Sequence, residues 1–425
     1  MKICVVGGGS TYTPELVDGL LRRADRLPVT ELVLFDPDRA RTGIVGRFAR
    51  RMCEAAGSNL AVRWTADPAD ALAGAEFVVN QLRVGGQAAR HRDELMGPEL
   101  GLIGQETTGI GGFAKALRTI PVVLELAQQV REHAPGAMLV NFTNPAGLIT
   151  ETLRRHSDLR VIGLCNVPWN QRADLAGLLG ASFPEVELDY VGLNHLSWIR
   201  GVTVGGEDRT AEALAATQAE LGRRGTQSDP DWDPQTIRTL GAIPSYYLMY
   251  FYETAAMLRH QAEHPTRASA VMEIERRLLT RYEDEQLREK PPELMERGGA
   301  YYSESAAALM ADVWQDSGAV HIVNTLNAGA LPSLADDVVV ETPARISKHG
   351  ATSIATDELR PDMDALVRAV KDYELLTITA AVEGDEDAAL LALATNPLGP
   401  PLADAPKVWE RIRRDNQGAL GRLDA

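Results

Sequence analysis

Two reactive side chains stand inside otherwise apolar strings. Cys165 closes RVIGLC (160–165), and His195 sits in GLNHLSW (192–198). A thiolate and an imidazole suit a borderline divalent metal, yet two protein ligands cannot close a structural zinc site. They would leave positions open for substrate oxygens, which is a catalytic arrangement. The competing reading is a cysteine packing as a small hydrophobe beside a satisfied core histidine. Gly7, Gly8 and Gly9 open GGGSTYTPEL (7–16), with Ser10 and Thr11 following. Glycines after a strand and before a helix let a pyrophosphate approach the helix-start N–H groups. Tyr12 replaces the third glycine of G-x-G-x-x-G, so the string reads either as a dinucleotide site or as a tight turn without ligand. Asp36, ending the second apolar run, is placed to accept a bond from an adenosine ribose hydroxyl.

Asn144 in NFTNP (141–145) offers a donor and an acceptor to a sugar hydroxyl, or marks an Asn-Pro turn. Arg83 in NQLRVGG (80–86) is either a surface charge or a fork of donors for phosphate or hydroxyl groups. GLIGQETTGIGGF (101–113) is too rich in glycine for a regular element and reads as a flexible active-site loop or a linker. Tyr246, Tyr247, Tyr250 and Tyr252 lie at helical spacing in IPSYYLMYFY (243–252), a pattern that by itself favours core packing.

The elements that must carry these residues alternate in the first half of the chain. KICVVG (2–7), ELVLFD (31–36), EFVVNQL (76–82), AMLVNF (137–142) and RVIGLC read as strands buried on both faces. Helices are predicted over Pro14–Arg23, Arg41–Ala56 and Ile120–Glu132. The alternation predicts an α/β fold with a doubly wound parallel sheet. Beyond Tyr190 the pattern is mixed α/β: a polar excursion (206–240) with a helix at Ala211–Arg224 and the turn-rich string SDPDWDPQ, then helices at Ser245–Arg259, Ser269–Glu285 and Ser303–Gln315. HIVNT and VVVETP are short strand candidates. The expected division is a Rossmann-type domain over 1–190 and a C-terminal domain over 191–425 for catalysis, substrate binding and oligomerisation.

Composition bounds the partners. The 425 residues carry a formal net charge of −16, which disfavours nucleic acid and anionic membrane surfaces. The apolar run Ile3–Val6 at the N-terminus is too short for a secretory signal, and no window approaches the ~18 apolar residues of a membrane span. Three cysteines without C-x-x-C spacing fit a reducing compartment, so a cytoplasmic protein is expected.

Together, GGGSTYTPEL, GLIGQETTGIGGF, NFTNPAG, GLCNVP and GLNHLSW keep the order found in the family 4 glycoside hydrolases. The chain resembles their 6-phospho-β-glucosidase branch from its first residue to NPLGPP (396–401). The resemblance implies a glycosidase that needs NAD and Mn²⁺ or another divalent metal, an exception to two-carboxylate glycoside hydrolysis. It implies hydride removal from the sugar C3, C2 deprotonation, elimination of the C1 leaving group, water addition and return of the hydride. It also implies a phosphorylated glycoside as substrate and a homo-oligomer, dimer or tetramer. By resemblance, Cys165 and His195 are metal ligands, Tyr247 is the base and Asn166 is the branch's active-site asparagine. Gly7, Gly9, Ser10, Thr11 and Asp36 bind the cofactor, while Arg83, Asn144 and Arg267 contact substrate. Met249 and Ser269 depart from the basic residues that relatives carry there. The other readings are a lactate/malate-type NAD-dependent dehydrogenase, another family 4 specificity, or a non-catalytic NAD-binding regulator.

Overall fold

The structure, a computed structural model, describes residues 1–221, 232–297 and 302–424. Its strands are β1 (Lys2–Val6), β2 (Glu31–Phe35), β3 (Ala61–Thr65), β4 (Phe77–Asn80), β5 (Met138–Asn141), β6 (Arg160–Gly163), β7 (Val186–Leu193), β8 (Leu196–Val204), β9 (Glu207–Asp208), β10 (Ile243–Pro244), β11 (Val320–Leu326), β12 (Val339–Ser347) and β13 (Gly350–Ser353). A nine-stranded sheet runs β13-β12-β11-β6-β5-β4-β1-β2-β3. Strands β1 to β6 are mutually parallel in the doubly wound order 3-2-1-4-5-6. The alternation of the sequence predicts that half. Strands β11 to β13 extend it antiparallel from the C-terminal half of the chain.

The central strands are mostly apolar because both faces are covered; the buried Asn80 and Asn141 that end β4 and β5 bond each other at 2.9 Å. Alternate residues of β1 show the two covered faces. Cys4 and Val6 pack with Phe113 and Leu117 of the helix Gly109–His133. Ile3 and Val5 pack on the other face with Phe48 and Leu309, from helices Arg39–Ala55 and Tyr302–Gln315. A second sheet, β10-β8-β7 with β9 beside β8, carries the hairpin whose two-residue turn is Asn194-His195.

Several expected elements change. Gly109–Phe113 is not loop: it opens the 25-residue helix Gly109–His133, and Gln105, Glu106 and Thr107 before it are buried. Its glycines serve close packing, since a Cβ on Gly111 would stand 2.3 Å from the Gln105 carbonyl oxygen. The single helix expected over Ser245–Arg259 breaks into a turn at Tyr246–Leu248 and helices at Met249–Tyr252 and Thr254–Glu263. At the break the Thr254 hydroxyl donates to the carbonyls of Tyr250 (2.7 Å) and Phe251 (3.2 Å), ending the first helical segment. Cys165 stands two residues past β6 rather than closing it. The helix expected at Ala211–Arg224 is Thr210–Leu221 as far as it is described, and residues 222–231, including the start of SDPDWDPQ, lie outside the described residues.

Candidate active site

The carboxyl ends of β1, β4, β5 and β6 open into one cleft of about 1350 Å³, the position expected for ligands in an open α/β sheet. At one end is the glycine turn. Gly7 has φ +82°, and a Cβ there would lie 2.9 Å from Leu82 Cα; a Cβ on Gly8 would lie 2.6 Å from Leu34 Cβ. Only glycine fits both places. Asp36 accepts from the backbone N–H groups of Gly9 and Asp38, each at 3.0 Å, and still lines the cleft. Ser10 lines it too, whereas Thr11 is fully buried and its side chain does not reach the cleft wall. Thr11 instead anchors the turn, its carbonyl accepting from the Tyr282 hydroxyl at 2.9 Å.

Sequence reasoning missed the residues that brace this turn. Arg41 Nε donates to the Gly9 carbonyl at 2.7 Å, and its guanidinium pairs with Glu275 at 2.9 Å. Glu275 also accepts from Gln87 (3.0 Å) and Arg297 (2.5 Å). Arg297 lies over the Tyr12 ring at 4.0 Å, so the residue that replaces the third glycine has a partner of its own. Burial alone would raise the Glu275 carboxyl, but the Arg297 and Arg41 charges outweigh it and hold the group down at about 2.

That depression has a measurable sign. A carboxylate with a folded-state pKa below its unfolded value stabilises above the unfolded pKa and loses that contribution as pH falls through the folded one. Wild type should therefore exceed Glu275→Gln by up to about 3 kcal/mol near pH 7. The gap should close between pH ~5 and ~2. Denaturant unfolding at stepped pH measures it, and a gap independent of pH would refute the assignment.

At the other end Cys165 Sγ faces His195 Nε2 at 3.5 Å. The sulfur also accepts hydrogen bonds from the Asn194 side chain and from the backbone N–H groups of Asn166 and Val167, where the helix Val167–Leu178 begins. His195 is in the left-handed region (φ 66°) of the hairpin turn. Its Nδ1 pairs with the Thr107 hydroxyl at 3.0 Å, and its ring stacks on Tyr247 with centroids 3.7 Å apart. Burial pushes His195 down to about 3, so the ring is neutral with a lone pair to give. Burial, then the Glu341 charge, pushes the Cys165 thiol up to about 12; a bound divalent cation reverses that balance and favours thiolate. Among the described residues no group of three His, Cys, Asp or Glu side chains surrounds the pair. One thiolate and one neutral imidazole, with the remaining positions left to substrate and water oxygens, fit a divalent ion held open on its substrate side.

Arg83, Asn144, Cys165, Asn166, Tyr247 and Arg267 all line the cleft, and His195 lies behind Cys165 and Tyr247. The tyrosine cluster divides: Tyr250 is buried core that touches the cleft, while Tyr246 and Tyr247 are only partly buried on its wall. Arg83 pairs with Glu106, which is also bound by Lys115 (2.6 Å) and Arg90 (3.2 Å). Burial would favour the neutral acid, but Arg83, Arg90 and Lys115 hold Glu106 well below the usual carboxylate range. Arg267 donates to the Glu296 carbonyl at 2.8 Å. Met249 is buried away from the cleft, whereas Ser269 lines it.

Fold and cleft together define a nucleotide-binding α/β enzyme with a metal-competent centre. Residues 2–181 match the Family 4 glycosyl hydrolase family, and residues 190–399 match its Family 4 glycosyl hydrolase C-terminal domain. The chain is 42% identical to a probable 6-phospho-beta-glucosidase of Bacillus subtilis, over 99% of this chain and 97% of that one. The 6-phospho-beta glucosidase of Thermotoga maritima, solved with manganese, NAD+ and glucose-6-phosphate, superposes with a TM-score of 0.90 at 37% identity, covering 98% of each chain. Malate dehydrogenase of Salinibacter ruber (TM-score 0.53, 18% identity, 91% of this chain and 97% of that one) shares the fold alone. The chain belongs to family 4 of the glycosyl hydrolases.

Proposed function

We propose that this chain hydrolyses 6-phospho-β-glucosides with NAD and a divalent metal, manganese foremost, held in the one cleft. The observation that carries the reading is the continuity of that cleft from the glycine turn to Cys165 and Tyr247. When bound, NAD supplies reversible hydride removal at the sugar C3 and the metal supplies Lewis-acid stabilisation of negative charge developing at C2 and C3. The chain's residues do the rest. Gly7, Gly9, Ser10 and Asp36 seat the dinucleotide, and Cys165 with His195 holds the metal. Tyr247, ionised to its phenolate in the positive field of the metal, takes the C2 proton and becomes the phenol, with Asn166 orienting the sugar beside it. Arg83, Asn144 and Arg267 hold the phosphorylated sugar.

Related structures support the cofactor assignment: the Thermotoga maritima enzyme holds NAD, manganese and glucose-6-phosphate. The dehydrogenase alternative shares only the fold and leaves the Cys165–His195 pair without a task. The matches at 2–181 and 190–399 support a division near residue 190, with β11 to β13 returning from the second part to finish the first sheet. We also propose a homo-oligomer, dimer or tetramer, working in the cytoplasm on a small phosphorylated glycoside. Three free cysteines support the reducing compartment. Among the described residues no helix is long and apolar enough to cross a membrane.

The test uses an aryl 6-phospho-β-glucoside with NAD, with and without Mn²⁺ and a chelator, following aglycone and NADH together. Aglycone release that needs NAD and metal without net NADH is expected. Stoichiometric NADH would transfer the chain to the dehydrogenases.

A further inference from the structure

Glu341, on β12, is buried to 1% exposure, and no cation partners it among the described residues. Its Oε1 accepts from Asn194 Nδ2 at 2.9 Å and Asn324 Nδ2 at 3.1 Å; its Oε2 accepts from the Tyr190 hydroxyl at 2.7 Å, itself 2.6 Å from Ser197 Oγ. Amide nitrogens only donate, so Oε1 is an acceptor toward both asparagines; burial pushes the carboxyl above its ordinary value, and a cation at the neighbouring thiol–imidazole pair would draw it back to the carboxylate. Other buried carboxylates here have cations: Glu374 and Glu151 share Lys371 at 2.5 and 3.0 Å, and Glu106 has three. A buried charge is ordinarily paired or placed against a metal. Asn194 joins Glu341 to the cleft: its side chain donates to Glu341 and lies beside the Cys165 sulfur, where its N–H favours the thiolate. Asn194 also precedes His195 in the hairpin turn, so a single residue fixes both ends of the thiol–imidazole pair.

We infer that Glu341 is a positioning residue for the metal centre: acting through Asn194 it orients Cys165 and His195, and its charge is the buried counter-charge to the bound divalent cation. The inference rests on the metal-centre reading proposed above. Outer partners of this kind fix ligand orientation and raise ligand basicity. Gly147 closes the back of the network, where a Cβ would stand 3.1 Å from Asn194 Cβ, so Asn194 has little room to take another pose.

The experiment titrates Co²⁺ alone into the NAD-loaded protein, reading the dissociation constant and the sulfur-to-cobalt charge-transfer band. Thermal unfolding of the metal-free protein is measured in parallel. Glu341→Gln keeps the shape and can still serve both asparagines and Tyr190. It is expected to weaken Co²⁺ binding ~10–100-fold, to move the thiolate band, and to leave the metal-free protein at least as stable as wild type, because the carboxyl has no cation partner to lose and burial disfavours its charge. Asn194→Ala, which cuts the link at the turn, should weaken Co²⁺ binding comparably. Glu374→Gln removes a buried carboxylate that does have a cation, and should lower stability while Co²⁺ binding stays within twofold of wild type. Co²⁺ binding and band unchanged in both Glu341→Gln and Asn194→Ala would overturn the inference. Loss of stability in Glu341→Gln with metal affinity intact would overturn it too, making Glu341 a core residue only. A wild type that binds Co²⁺ without any thiolate band would instead overturn the metal-centre reading beneath it.

Discussion

Tyr247→Phe is expected to lower turnover by the ~10²–10⁴-fold typical of a lost general base, with folding intact. The ring that stacks on His195 at 3.7 Å is preserved, so the hairpin turn keeps its cover and the Cys165–His195 pair its position. Only the hydroxyl goes. Substrate deuterated at C2 should show a primary isotope effect in wild type where deprotonation limits the rate. Product formed in D₂O should carry deuterium at C2. Tyr246 supplies the control. It meets Tyr247 edge-on with centroids 5.6 Å apart and lines the same cleft, but it does not stack on His195. Tyr246→Phe should keep most activity. A dead Tyr246 variant beside an active Tyr247 variant would move the base by one residue. Wild-type rates in both, with no C2 exchange and no isotope effect, would end the redox–elimination reading.

What the sequence disclosed follows from what kind of information each feature carries. β1, β2, β4, β5 and β6 are legible because a strand covered on both faces reads as a near-continuous apolar run, polar only at its ends. The glycine turn is legible because two of its positions exclude a side chain outright. The helix beginning at Gly109 is not. Glycine normally weakens a helix by ~1 kcal/mol, so a run of them reads as a break, whereas here it buys close contact with the buried turn around Gln105. His195 is legible as a polar residue in an apolar string, but its role at a hairpin tip depends on strand pairing that no local pattern encodes. Arg41, Glu275 and Glu341 were invisible for the same reason. The Arg41–Glu275 pair spans 234 positions and the Asn194–Glu341 pair 147. Side chains at that separation meet only in the tertiary fold, where helix Arg267–Glu283 packs on helix Arg39–Ala55 and β12 reaches the hairpin turn.

Cys165→Ser should abolish turnover and weaken Mn²⁺ binding by more than the ~10–100-fold that losing an outer hydrogen-bond partner costs. NAD affinity should stay within a few-fold, because the glycine turn is at the far end of the cleft and is braced independently by Arg41 and Glu275. The geometry makes this a clean test of the sulfur. His195 remains held by Thr107 at 3.0 Å and by the Tyr247 ring, so the imidazole donor survives the substitution. The three N–H groups aimed at the sulfur also remain, and they can hydrogen-bond a serine oxygen, so the variant should fold. A neutral hydroxyl nevertheless cannot replace a thiolate, because thiolate is both charged and soft. Two measurements check it. Mn²⁺ should raise the unfolding temperature of wild type, as any ligand selective for the native state does, and should leave that of Cys165→Ser unmoved. The NAD-induced rise should be the same in both proteins. Full activity in Cys165→Ser with Mn²⁺ still bound would remove Cys165 from the site and leave His195 without its partner. Equal loss of both the NAD and the Mn²⁺ shifts would show that the substitution had damaged the cleft as a whole rather than one ligand of a metal.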